Sequence, residues 1–171
     1  LIGMVPAMTS PPDSEHLEML DQKPPPSRVG LFIGWGICVF ILAMFGVGFY
    51  QSPELGEQLV ITWVLFNGGF CALGTLIALG HPVSIIAAFF AAPLTSLNPT
   101  IGAGMVVGLV ESYMRKPKVS DFETLRDDIA VYSMWWKNRV ARLFLIFFFS
   151  SLGSMIGTYT AGASIVTQIL N

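Results

Sequence analysis

Long stretches without a charged side chain alternate with short charged islands along this chain. From Val29 to Tyr50, from Gln58 to Leu79, from Pro82 to Val110 and from Leu143 to Asn171 there is no Asp, Glu, Lys or Arg. A helix needs about 20 apolar residues to cross a hydrocarbon core, and each stretch reaches that length. Only 12% of the 171 residues are charged and 53% are hydrophobic, whereas a soluble domain carries roughly a quarter charged residues. Mean hydropathy is +0.66. The reading is an all-α integral membrane protein, because helices satisfy their own backbone in lipid. A net charge of −2 without a basic stripe excludes nucleic acid as a partner and leaves the lipid bilayer.

Three full spans are expected, over 29–50, 58–79 and from about 139 to the end of the chain. The last run exceeds what a bilayer requires, so it tilts or breaks around Thr158–Gly162. Between the second and third spans, 82–114 reads as a broken helical hairpin. Pro82 suits the first turn of its first arm. Pro93 interrupts that arm, and Thr95, Ser96, Asn98 and Pro99 form the break, with Asn98 as N-cap and Pro99 at the first position of the second arm. The first arm, at 1.5 Å per residue, is about 16 Å long, which favours re-entry from one side over the alternative of two short tilted spans. The 115–142 segment carries seven of the nine basic residues. Within it, 120–136 reads as an interfacial amphipathic helix, started by a Ser120/Glu123 capping box and ending at the Trp135-Trp136-Lys137 anchor.

Residues 1–28 are polar and rich in proline, including Pro24-Pro25-Pro26, and read as a linker ahead of a transmembrane domain at 29–171. The start at Leu1 suggests a piece of a longer chain, and no signal peptide is evident. The positive-inside tendency places the N-terminus and the 115–142 segment in the cytoplasm, and 51–57 with its two Glu on the opposite side. The membrane is then the inner or plasma membrane of a bacterium or archaeon.

Few residues offer chemistry. Glu111 and Arg115 are four apart, the order that favours a helical ion pair. With Arg139 and Arg142 they form a candidate polar cluster at the inner boundary, and Glu111 is expected within hydrogen-bonding reach of Arg115, Arg139 or Arg142. His81 reads as a helix-end residue. Asn67, in mid-span, demands a partner on another helix. The break at Thr95, Ser96 and Asn98 either caps helix ends or faces a ligand cavity. His16 and His81 are the two histidines, so no metal cluster or cofactor is expected, and no catalytic constellation is present. Cys38 and Cys71 lie in apolar runs and read as small buried hydrophobes. The pairs Gly30/Gly34, Gly104/Gly108 and Gly153/Gly157 have the GxxxG spacing of close helix contacts. At least one pair is expected between subunits of a homo-oligomer, a dimer first of all.

The residues HPVSIIAAFFAAPLTSLNPTIGAG (81–104), VVGLVESYMRKPKVSDFETLRDD (106–128), WWKNRVARLFL (135–145) and GSMIGTYTAG (153–162) together resemble the C-terminal membrane region of the TraB family, which includes the PrgY-like pheromone-shutdown proteins. The resemblance spans about 26–163. It implies an N-terminal domain similar to TIKI-type metalloproteases. Gly3-Met4-Val5-Pro6-Ala7-Met8 is similar to the end of that domain, with Met4 where the family has His. The function implied is a membrane domain that anchors, and regulates, a peptidase-like domain of the same chain acting on peptide signals. Whether that whole protein is an enzyme is left open by this chain. The alternative reading is a small transporter or channel module built around the 82–114 hairpin.

Overall fold

The computed structural model describes residues 28–98 and 100–170, with the side chains of Arg28 and Leu31 left aside. The linker at 1–27, the 3–8 element and Pro99 lie outside the described residues. Every regular element among those described is helical.

Helix α1, Arg28–Gln51, and helix α2, Pro53–Ile77, are joined through Ser52. Ser52 is extended, and its hydroxyl accepts from the Leu55 amide at 3.1 Å. With Pro53 at the first position and Glu54 in the first turn, this is a complete helix start that turns the chain back on itself. Helix α7, Arg139–Leu170, is continuous through Thr158–Gly162 over its 32 residues, so the excess length is not resolved by a break. At 1.5 Å per residue it is about 48 Å long, which a bilayer accommodates by tilt. These three helices are long and apolar enough to cross a membrane.

The core of the fold is the antiparallel pairing of α2 with α7. A Cβ on Gly74 would fall on the Phe149 carbonyl, one on Gly153 on the Phe70 carbonyl, and one on Gly157 would lie 2.7 Å from Asn67 Cα. Three glycines therefore let the two backbones touch, the close approach that drives helix association in lipid. Gly104 fits in the same way against Phe147 and Ser151 of α7. Gly108 differs, since nothing lies within 4 Å of where its Cβ would be. The Gly153/Gly157 pair is thus a contact within one chain.

Helices α3, Pro82–Thr95, and α4, Ala103–Met114, form the hairpin. At about 21 and 18 Å each is too short to cross a hydrocarbon core of about 30 Å. Both the start of α3 and the end of α4 lie by the C-terminal end of α2, where the His81 amide donates to Glu111. The tip reaches the middle of α2, where Trp63 Nε1 donates to the Pro93 carbonyl at 3.2 Å.

Two expected boundaries are corrected. Pro93 does not end α3, which runs on to Thr95. Pro93 has no N–H for the Phe89 carbonyl one turn back, and that carbonyl packs against Gly68 of α2. Asn98 does not cap α4. Its Oδ1 accepts from the Thr100 amide at 3.0 Å, a local turn, and α4 begins at Ala103 after an extended Gly102.

The expected single helix over 120–136 is also corrected. The structure has α5, Val119–Glu123, α6, Leu125–Ile129, and a 3₁₀ turn, Tyr132–Met134. The Asp121 carbonyl, which a continuous helix would give to Leu125, accepts from Asn138 Nδ2 at 2.8 Å. The cap lies two residues earlier than Ser120/Glu123: α5 follows Lys118, whose amide donates to Asp121 Oδ2 at 2.8 Å. Phe122, Ile129 and Tyr132 in this segment are exposed.

Candidate functional site

The hairpin is fastened at its neck and at its tip. At the neck, α2 ends in a Schellman arrangement. The Gly80 amide donates to the Thr75 carbonyl and the Leu79 amide to the Leu76 carbonyl, each at 2.9 Å. The left-handed position this requires is filled by Leu79, at φ 56°, where glycine is the ordinary choice. Two α4 side chains hold that turn. Glu111, 3% exposed, accepts from the His81 amide through Oε2 at 2.8 Å. Arg115 Nη1 donates to the Leu79 carbonyl at 2.9 Å. The same Nη1 lies 3.3 Å from Glu111 Oε1, an ion pair without the alignment of a hydrogen bond, since Oε1 accepts none. His81 stands before α3, and its Nδ1 accepts from the Val83 amide at 3.2 Å.

Of the candidate cluster, Glu111 and Arg115 meet. Arg139 and Arg142 turn to backbone instead. Arg139 Nη1 donates to the Lys116 carbonyl at 2.9 Å, and Arg142 donates through Nε to the Trp136 carbonyl at 2.7 Å. They tie the basic segment to the start of α7.

At the tip, Asn67 is fully buried and joins three elements. Its Nδ2 donates to Ser96 Oγ and to Thr158 Oγ1, each at 3.0 Å. Its Oδ1 accepts from Ser154 Oγ at 3.0 Å. Ser96 Oγ lies 3.2 Å from both Asn67 Oδ1 and Ser154 Oγ. Cys38 of α1 reaches the Ser96 carbonyl at 3.6 Å. The amide has two donors and an acceptor oxygen, and all are engaged by protein. Thr95 bonds back to the Ala91 carbonyl at 2.9 Å, and exposed Asn98 serves its own turn, so neither joins Asn67.

Sequence reasoning did not find Ser154, Thr158, Trp63 or Asn138. The signal for Ser154 and Thr158 is a polar residue after each glycine of the 153/157 pair, one turn apart on α7. Asn138 is 5% exposed. Its Oδ1 caps α7 through the Val140 and Ala141 amides at 2.9 and 3.1 Å. Its Nδ2 reaches Asp128 Oδ2 at 2.7 Å. The Asn138 and Thr124 hydrogen bonds hold the Asp128 carboxyl below the usual carboxylate range. The Asn138 amide caps the helix through its oxygen and donates to a second segment through its NH2 at once.

An uncharacterized protein of Methanocaldococcus jannaschii is 28% identical over 152 residues, covering 86% of this chain and 38% of the relative. The chain therefore spans about two fifths of that relative's length. No solved structure matches it. Residues 29–170 match the TraB family protein, C-terminal domain. With nearly the whole described region inside that match, the chain belongs to the TraB family.

Proposed function

We propose that this domain is the membrane-embedded platform of a TraB protein. It anchors, and conformationally restrains, an N-terminal peptidase-like domain that acts on peptide signals, as the resemblance to the pheromone-shutdown proteins suggests. The observation that carries this reading is the double fastening of the hairpin. The Asn67 amide and the Glu111 Oε2–His81 bond are engaged with protein, which suits a rigid support better than a transport path. The arrangement of the ends supports the role. The C-terminal end of α2, the hairpin neck and the start of α7 lie together, and the 115–142 segment brings its basic residues there. The Gln51–Pro53 turn with Glu54 and Glu57 lies at the other end of α2. Positive charge marks the cytoplasmic side, so the platform faces the cytoplasm.

Single cysteines at Ser52 and Ser120, in a background lacking Cys38 and Cys71, test the topology. An impermeant thiol reagent should label them from opposite sides of the membrane. Labelling from the same side would overturn it. The anchoring role is tested by peptide hydrolysis with a full-length TraB protein, with and without the 29–170 region. Equal activity and equal membrane retention of the two forms would remove the platform from the mechanism.

A further inference from the structure

Beside the neck lies a cleft of about 650 Å³ lined by Arg115, Lys116, Lys137, Arg139 and Arg142, with Tyr113 and Met114. Among the described residues no carboxylate lines it. Among the described residues the one ion pair within 4.0 Å is Glu111–Arg115, which leaves four of these cations without a carboxylate in ion-pair contact, Glu111 acting on Arg142 only at longer range. Clustering like charges is unfavourable unless an anion joins them. The guanidinium groups are also held in place. Arg115, Arg139 and Arg142 each donate to a backbone carbonyl, of Leu79, Lys116 and Trp136. A guanidinium has five N–H donors, so each keeps others for a ligand, in the fork geometry that suits phosphate oxygens.

A second feature adjoins the first. A groove of about 520 Å³ runs along α4, lined by Leu109, Val110, Ser112, Tyr113 and Lys116. It shares Tyr113 and Lys116 with the basic cleft, and it is otherwise almost wholly apolar. Lys116 Nζ lies 5.8 Å from the centre of the Tyr113 ring, so the two features meet at that pair. A polar anion site adjoining an apolar groove fits an amphiphile.

We infer that this cleft and groove form a binding site for an anionic phospholipid, its phosphate among Arg139, Arg142, Lys116 and Lys137 and an acyl chain against Leu109 and Val110. The shared chemistry is a phosphate anion, and the groove makes a lipid headgroup its source rather than free phosphate. The inference rests on the membrane placement proposed above, at the side where anionic lipid and basic residues attract one another. It adds a lipid requirement to the platform.

The chain is reconstituted in nanodiscs of equal phosphatidylglycerol and phosphatidylcholine, and co-purifying lipid is quantified by native mass spectrometry after delipidation. Phosphatidylglycerol should be retained selectively. Lys116→Gln with Lys137→Gln, both at exposed positions, should reduce that retention on the order of tenfold, from the attraction each basic residue contributes. Arg139→Lys, which keeps the charge, should retain more than Arg139→Gln. Leu109→Asp should lower retention while leaving the cations intact. Equal retention of both lipids, or no change in the Lys double variant, would overturn the site. Displacement of phosphatidylglycerol by millimolar inorganic phosphate would overturn the lipid as its source. Resistance to alkaline extraction is read in parallel. A chain washed from the membrane refutes the platform as well, whereas an embedded chain without lipid preference refutes this inference alone.

Discussion

Helices α1 and α7 both lie against α2, and they do so by different physics. Along α7, Gly153 and Gly157 bring backbone onto backbone, and Asn67 adds hydrogen bonds to Ser154 and Thr158. Along α1, contact is made mostly by side chains, with Gly48 set close to Leu59 and to the Gly56 backbone of α2 near the turn. Cys38, Ile41, Met44 and Gly48 form the buried stripe, and Phe45 meets Trp63 edge to face at 6.1 Å. A Cβ added at Gly36 or Gly46 would meet none of the described residues within 4 Å. An apolar groove of about 420 Å³ remains between Phe40 and Met44 on α1 and Met155, Tyr159 and Val166 on α7. Glycine alone does not make a helix contact. It does so where a partner backbone faces it and polar side chains fix the register. The α2–α7 pair with its hairpin is accordingly the more closely joined part, and α1 the part held by fewer close contacts.

The largest effect should come from closing that backbone contact. Gly157→Leu places side-chain atoms where Asn67 Cα stands and should destabilise the domain by about 3 kcal/mol or more, the upper range for overpacking. Gly46→Leu on α1 should leave the melting temperature in detergent unchanged. Equal tolerance of the two would abolish the distinction between the helices.

Next in size is Asn67→Leu, which removes the shared partner of the Ser96, Ser154 and Thr158 hydroxyls at the tip. About 1–3 kcal/mol should be lost in thermal unfolding, with faster hydrogen exchange at Leu97–Thr100 than in α2. A loss confined to α1 would show that the register is set elsewhere.

Glu111→Gln keeps an acceptor for the His81 amide and removes the charge beside Arg115. The Arg115 side chain is 32% exposed, so water compensates part of the loss. The cost should be about 1–2 kcal/mol rather than that of a dry pair. Adding Arg115→Gln should recover part of it, and a strictly additive double variant would deny the coupling.

The smallest effect has the opposite sign. Leu79→Gly relieves a left-handed residue and should stabilise the domain by about 0.5–1 kcal/mol. Destabilisation would mean that the Leu79 side chain makes a packing contact worth more than its backbone strain.

Local sequence determined the elements whose causes are local. Charge-free length marked the three long helices. The residues around Pro93 and Asn98 marked a hairpin too short to cross. The four-residue spacing of Glu111 and Arg115 placed them on one helical face, and the position of Asn67 in an apolar run demanded a partner. Tertiary structure decided everything that depends on which backbone comes near. The partners of Asn67 are 29 residues away at Ser96 and 91 away at Thr158, distances over which no periodicity carries information. Asn138 breaks the 120–136 helix by taking the Asp121 carbonyl, a competition invisible in a pattern that fits one continuous helix. Gly104 and Gly108 have the same spacing motif on one helix and both are buried, yet among the described residues only a Cβ at Gly104 would strike a neighbour, because α7 crosses α4 at that level. Leu79 adopts a glycine's conformation because Glu111 and Arg115 hold the turn around it. A helix reports its own propensity in its sequence, whereas its close contacts belong to the pair.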